Sequence, residues 1–246
     1  MVKAYRGDRL PTTTGIRKAG KAVPETHAPQ PTTEWVVVVP VKGTPDAKSR
    51  FGDSDDDGDR TELALAIAYD TVQAAVATAA VSGVLVVTSA AASVTFDETD
   101  ALVLVEEEPD GLAAAINLGV ETAEAMGAAG RGIAVLLGDL PALTPAELDA
   151  ALVAAAAHDR AMVPDAAGTG TTLITAADGA SHAPAFGLGS AAAHRAAGYV
   201  VLDLAETSGL RRDVDTREEL QALVGRLGPR TAALVALRRA QGPYGP

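Results

Sequence analysis

Ile133-Ala134-Val135-Leu136-Leu137-Gly138-Asp139-Leu140-Pro141 is an unbroken apolar run of strand length that ends in glycine, aspartate and proline. A run without polar alternation suits a strand buried on both faces, as in a parallel sheet covered by helices. Pro141 cannot continue the ladder, so the strand stops and Asp139 stands where the sheet meets water. A carboxylate at the carboxyl end of a parallel strand is placed to hold a metal ion against a ligand. Aspartate close before proline is also ordinary turn chemistry, and taken alone the turn is the simpler reading.

The segments around this run decide between the two. Upstream, Trp35 to Val41 is a continuous, mostly β-branched run and predicts a first buried strand. Leu63, Ile67, Thr71, Ala74 and Ala75 recur at helical spacing and predict a helix from Arg60 to Ala80. Val84 to Thr88 and Leu102 to Val105 predict further strands, and Gly111 to Ala128 a further helix that carries Asn117. Downstream, Thr144-Pro145-Ala146-Glu147 supplies an N-cap, a proline at the first helical position and a capping-box glutamate. The helix it opens runs to about His158, and Ala161 to Pro164 forms a short strand ending at Asp165. A helix from about Gly189 to Ala197, a strand from Tyr199 to Leu204, a second capping box at Thr216 and Glu219, and a helix from Pro229 to Arg239 complete the chain. Strands alternate with helices from residue 35 to about 225 without an internal repeat. That alternation predicts an α/β fold, mainly a parallel sheet with helices on both faces, with ligands at the carboxyl edge. Residues 1–34 are rich in Pro, Thr, Lys and Gly and lack apolar periodicity, which predicts a disordered extension. The domain is expected over 35–240, and 241–246 as a loose tail.

Composition limits the chemistry. Hydrophobic residues make up 48% of the 246, but aromatics only 3%, so the core must be built from Ala, Val and Leu. The formal net charge of −12 argues against general nucleic-acid binding, which needs basic surface. It leaves room for a nucleotide site, where a few cations and a divalent metal suffice. There is no cysteine, so thiolate ligands, disulfides and cysteine nucleophiles are excluded. No apolar run approaches the ~20 residues of a membrane span, and the N-terminus has no hydrophobic signal core. A cytoplasmic protein without membrane partners is expected.

Several segments bear on ligand binding. Lys42-Gly43-Thr44-Pro45-Asp46-Ala47-Lys48-Ser49-Arg50 places three cations and a glycine directly after the first strand, as a phosphate-facing loop would. It lacks P-loop spacing, and a solvated basic loop is the alternative. Asp53 to Asp59 begins like a calcium loop, but Ala64 stands where the bidentate glutamate belongs, so it is read as an exposed acidic loop. Gly168-Thr169-Gly170-Thr171 offers amides and hydroxyls as an anion cradle, with a hairpin turn as the alternative. Gly187 and Ser190, in Phe186-Gly187-Leu188-Gly189-Ser190, open a helix and again favour an anion. His194 has no second histidine at ligand spacing and suits a structural or phosphate-adjacent role. In Arg212-Asp213-Val214-Asp215-Thr216 two carboxylates alternate on an extended piece, so only one of Asp213 and Asp215 can face the site.

Taken in order, Pro40-Val41-Lys42 with Ala47-Lys48-Ser49-Arg50, Gly138-Asp139-Leu140-Pro141, Gly168-Thr169-Gly170-Thr171, Phe186-Gly187 with Ser190, and Gly209-Leu210-Arg211 with Asp213-Val214-Asp215-Thr216 resemble the guanylyltransferases of coenzyme F-420 biosynthesis. The match covers roughly residues 35 to 225. The resemblance implies a Rossmann-like nucleotidyltransferase fold. It implies that the phosphate of a small phospho-acid attacks the α-phosphorus of GTP and releases pyrophosphate. It further implies Mg²⁺ on Asp139 and Asp213, the phospho-acid on Thr171, Gly187 and Ser190, and the GTP phosphates on Lys42 and Lys48. It also favours a ligand-facing Asn117. Bacterial members are assigned phosphoenolpyruvate and archaeal ones 2-phospho-L-lactate. The Ala- and Gly-rich, Lys-poor chain favours phosphoenolpyruvate. A homodimer is compatible with this reading, and a non-catalytic nucleotide-binding module is the rival of a different class. The acidic run after Arg50 and the N-terminal extension depart from the family pattern.

Overall fold

The computed structural model describes residues 34–42, 57–108, 110–127 and 130–241. Lys48, Arg50, the acidic residues 53–56, the tail 242–246 and all of the expected extension except Glu34 lie outside these.

A seven-stranded sheet runs in the order β3-β2-β1-β4-β6-β5-β7. Its strands are β1 (Glu34–Pro40), β2 (Val81–Ser89), β3 (Leu102–Glu106), β4 (Arg131–Leu136), β5 (Arg160–Pro164), β6 (Thr171–Ala176) and β7 (Val200–Val201). Neighbours pair in parallel except β6, which runs antiparallel between β4 and β5. The helices are α1 (Asp57–Val76), α2 (Ala90–Ser93), α3 (Gly111–Ala125), α4 (Pro145–Ala155), α5 (Ser190–Ala196), α6 (Arg217–Ala222) and α7 (Pro229–Gln241). None of the helices among the described residues is long and apolar enough to cross a membrane.

Strand periodicity sorts the core into two layers. Trp35, Val37 and Val39 point to one face, where they pack with Val72 of α1 and Leu148 and Leu152 of α4. Val38, Ile133 and Val135 point to the other, against Ile116 of α3 and Ala191 of α5. Each fully buried Val, Leu or Ile contributes about 1.5–3 kcal/mol, so the continuous apolar runs fix the centre of the sheet. At Gly119 of α3 an added Cβ would overlap methyl groups of Val38 and Val87, so glycine lets this helix lie close on the sheet. A third cluster joins Leu63 and Ile67 of α1 to Val214 and Leu220, and so anchors the C-terminal segment beside the sheet edge.

Three local features differ from expectation. Asp57 to Asp59 form the start of α1 rather than a loop, consistent with the preference for acidic residues at a helix N-terminus. Thr171-Thr172-Leu173-Ile174-Thr175 is strand, because its β-branched residues pair on both sides with β4 and β5. From the Tyr199–Leu204 run only Val200 and Val201 enter the sheet, at its edge, followed by one bond from the Leu202 amide to the Met162 carbonyl.

Candidate active site

Because β6 is reversed, its first residue lies on the same edge as the last residues of β1, β4 and β5. Asp139, Asp165, Thr171 and Lys42 are thereby brought to one side of the sheet, where ligands of such folds bind. Beyond β4 the Leu137 amide still bonds the Thr172 carbonyl (2.9 Å), and the chain then turns at Gly138-Asp139. The turn is held from below by Thr71 of α1, which is fully buried. Its Oγ1 accepts from the Leu140 amide (3.2 Å) and donates to the Ile67 carbonyl (3.0 Å). Asp139 is half-buried in an open cleft, together with Pro40, Lys42, Ala64, Leu112 and Gly138. Lys42 is exposed at the end of β1, where Thr88 Oγ1 ties down the preceding Val41 carbonyl (2.9 Å). Asn117 is exposed on α3.

Asp213 reaches the same place from far along the chain. Glu147 caps α4 through Thr144 and extends its other oxygen to the Gly209 amide (2.8 Å). Burial alone would lift the Glu147 pKa, but the bonds from Gly209 and Thr144 hold it below the usual value. Thr172 Oγ1 donates to the Leu210 carbonyl (2.6 Å), and Arg211 donates to the carbonyls of Pro164 (3.3 Å), Leu204 (3.3 Å) and Asp165 (3.0 Å). Gly209 abuts the backbone of Ala142 so closely that a Cβ would overlap its carbonyl. Finally the Val214 amide donates to the Asp139 carbonyl (3.1 Å). Asp213 is thus fixed beside Asp139, half-buried, and its pKa is pushed up to about 7. Burial is the largest cause, followed by the negative charges of Asp139, Asp165 and Asp215. The Asp215 amide donates to Glu219 (2.8 Å) in the second capping box, so that part of Asp215 serves helix entry.

This donor set fits a divalent cation. Two half-buried carboxylates that repel one another are stabilised by a positive ion between them, and hard oxygens suit Mg²⁺. Among the described residues no group of three or more His, Cys, Asp or Glu surrounds one point.

The third group of residues lies across Asp165. Its Oδ1 accepts from the Thr169 amide (2.9 Å) and its Oδ2 from the Gly170 amide (2.8 Å). The glycine-threonine cradle expected from sequence is therefore filled by an anion of the chain itself, and the segment is the β5–β6 hairpin turn. Thr171 is buried, with its hydroxyl 2.9 Å from His194 Nδ1. Gly187 is exposed at φ 122°, a conformation that favours glycine, and its carbonyl accepts from the Ser190 amide (3.1 Å). Ser190 is buried at the start of α5, and the next amide, Ala191, bonds the Thr169 carbonyl (3.0 Å). Thr171, Gly187 and Ser190 are thus assembled together, and Lys42, Asp139 and Asp213 form a neighbouring group. Lys48 lies outside the described residues.

Thr71, Glu147, Asp165 and the contact of His194 with Thr171 were not singled out from sequence. Thr71 carried a signal, as a polar residue on the apolar stripe of an alanine- and leucine-rich helix. Glu147 was visible only as a cap. Nothing local marks Asp165 as the partner of amides four and five residues on.

Residues 35–194 match the family described as "Guanylyl transferase CofC like". A phosphoenolpyruvate guanylyltransferase of Streptomyces coelicolor is 49% identical over 205 residues, covering 82% of this chain and 96% of the relative. One of Geodermatophilus obscurus is 49% identical over 210 residues, covering 82% and 94%. Among solved structures, a 4-diphosphocytidyl-2C-methyl-D-erythritol synthase superposes with a TM-score of 0.54 at 12% identity, covering 78% of this chain and 97% of that one. A nucleotidyl transferase from Methanothermobacter thermautotroptrophicus gives 0.53 at 18% identity, covering 83% and 99%. At those identities the likeness shows the fold alone, a nucleotidyltransferase-like α/β sheet. The enzymes of known name and the family match agree on the chemistry of guanylyl transfer, and the chain belongs to the CofC-like guanylyl transferase family.

Proposed function

We propose that this enzyme is a Mg²⁺-dependent phosphoenolpyruvate guanylyltransferase that acts in coenzyme F-420 biosynthesis. The observation that carries the metal-dependent part is the pairing of Asp213 with Asp139, which lines the same cleft as Lys42. The acid is proposed from the names of the curated relatives, which are phosphoenolpyruvate guanylyltransferases.

In the reaction a phosphate oxygen of phosphoenolpyruvate attacks the α-phosphorus of GTP. The bond from that phosphorus to the bridging oxygen of the β-phosphate breaks, and pyrophosphate leaves. The attacking phosphate is already ionised near pH 7, so no general base is needed. Asp139 and Asp213 would hold Mg²⁺, which when bound neutralises charge on two polyanions brought together. Lys42 and Lys48 would meet the GTP phosphates, while Thr171, Gly187 and Ser190 would orient the acid. Positioning of this kind accounts for much of the rate in such transfers. The cytoplasmic setting expected from the sequence suits both substrates.

The test incubates the protein with Mg²⁺, each nucleoside triphosphate and a panel of phospho-acids and sugar phosphates, and measures pyrophosphate. Release with GTP and phosphoenolpyruvate is expected. Release with 2-phospho-L-lactate but not phosphoenolpyruvate would replace the acid, and release only with a sugar phosphate would refute the assignment.

A further inference from the structure

We propose that His194 is a positioning residue for the phospho-acid, because it leaves the Thr171 hydroxyl only one role, that of hydrogen-bond donor to the ligand. The inference rests on the reading above that Thr171 binds the acid.

The tautomer of His194 is set by its surroundings. The Ala185 amide, which can only donate, bonds His194 Nε2 at 2.9 Å. Nε2 must therefore carry a lone pair, and in the neutral ring the proton sits on Nδ1. Burial, which holds the His194 pKa below that of an ordinary histidine, keeps the ring neutral. Nδ1–H faces Thr171 Oγ1 at 2.9 Å and donates to it. The rings of Phe186 (5.0 Å between centroids, interplanar 73°) and Tyr199 (5.2 Å, 67°) pack edge-to-face against the imidazole and fix its plane.

The consequence falls on Thr171. With one lone pair of Oγ1 taken by His194, its own proton must turn elsewhere, and no other hydrogen bond of this hydroxyl is found among the described residues. Thr171 is only 3% exposed, so a proton without an acceptor there is costly. An anionic carboxylate or phosphate oxygen satisfies it. The opposite tautomer would have reversed the pair: Thr171 would donate to Nδ1 and present only lone pairs, which repel an anion. The same histidine also joins the pieces of the acid group, since α5 carries both His194 and Ser190, and the Ala185 amide that it accepts from precedes Gly187 by two residues. His194 thus acts through Thr171 and on the loop that holds Gly187.

The experiment combines nitrogen-15 NMR of the wild-type histidines with calorimetric titration of phosphoenolpyruvate into protein and Mg²⁺. NMR is expected to find the His194 proton on Nδ1, and a proton on Nε2 would overturn the proposal. His194→Leu is expected to raise the phosphoenolpyruvate Kd about tenfold, with the KM for GTP changed less than twofold. His194→Asn, whose side-chain amide can donate from the position of Nδ1, is expected to restore most of that affinity. In a Thr171→Val background, His194→Leu is expected to add much less than its loss in the wild-type background, the remainder coming from the loop that holds Gly187. A Kd within twofold of wild type for His194→Leu, or fully additive losses in the double variant, would overturn the proposal. Wild-type protein that binds phosphoenolpyruvate but releases no pyrophosphate with GTP would refute the guanylyltransferase assignment while leaving this inference in place. Wild-type protein that binds no phosphoenolpyruvate would overturn the inference itself.

Discussion

Thr71→Val isolates the support beneath Asp139. The two side chains are close in volume, so the change removes a hydroxyl and little else. In the wild type Oγ1 accepts from the Leu140 amide at 3.2 Å, and Leu140 is fully buried. Without that oxygen the amide loses the acceptor below it, which costs about 1–3 kcal/mol. The lost donation to the Ile67 carbonyl matters less, because that carbonyl lies inside α1, where the helix ladder serves it. A buried methyl in place of the hydroxyl returns up to about 0.8 kcal/mol, so from the middle of that range the net loss is about 1–2 kcal/mol. For a chain of this length that lowers the melting temperature by about 2–8 °C. The same amide follows Asp139 directly, so the carboxylate shifts with it. A displacement near 1 Å costs up to on the order of a hundredfold in rate, and we expect kcat to fall about ten- to a hundredfold. Thr71→Ser, which keeps the hydroxyl, should stay near wild type in both measurements. Thermal denaturation and pyrophosphate release at saturating substrates test this. A Val variant that melts within about 1 °C of wild type and turns over normally would show that Thr71 is merely a core residue.

Two further outcomes are expected. Asp139→Asn and Asp213→Asn should fold, and Asp213→Asn should melt at or above wild type, because it removes a charge that burial and three neighbouring carboxylates disfavour. Both should lose about a hundredfold or more in pyrophosphate release, and near-normal turnover by either would remove it from the metal site. His182 contributes acid lability: burial, opposed by its bond to the Ile133 carbonyl and aided by the charge of Arg160, lowers its pKa from 6.5 to about 4. The unfolded chain therefore takes up the proton on this group first, and the His182 share of stability, about 3 kcal/mol, is lost as pH falls from about 6.5 to about 4. Asp213, whose pKa is raised to about 7, adds stability as pH falls over the same range, so the His182 share is read by comparison: in urea denaturation from pH 6.5 to about 4 the wild type should lose about 3 kcal/mol more than His182→Gln, and equal changes in the two would assign the acid lability to other groups.

Much of the fold was legible because its centre consists of continuous apolar strands with capped helices between them. Val36 to Val39 and Ile133 to Leu136 have no polar residue to place outward, so they could only be central, and Thr144 with Glu147 and Thr216 with Glu219 announced their helices. The reversed strand was not legible. Gly168 to Thr175 carries glycines and threonines that serve a turn or a strand equally well, and pairing with β4 and β5 makes its second half a strand. The site divided along the same line. Residues that announce themselves by position, such as Asp139 at a strand end, could be named from sequence. Residues that act by reaching across the chain could not: Glu147 meets Gly209 sixty-two positions away, and Thr71 meets Leu140 sixty-nine away. No local pattern encodes those contacts.

The carboxylate of Asp165, closed on the amides of Thr169 and Gly170, also bears on the entropy of binding. A glycine-rich turn that waited for a ligand to order it would lose its freedom at the moment of association, about 0.5–1.5 kcal/mol for each rotamer-rich side chain immobilised and more for the backbone. Here the ordering happens during folding, through an anion that is part of the chain. Thr171, the residue after Gly170, is therefore in its final place before any small acid arrives. Affinity for a ligand with few atoms depends heavily on such preorganisation, because so small a molecule has little surface with which to offset the ordering of a loop.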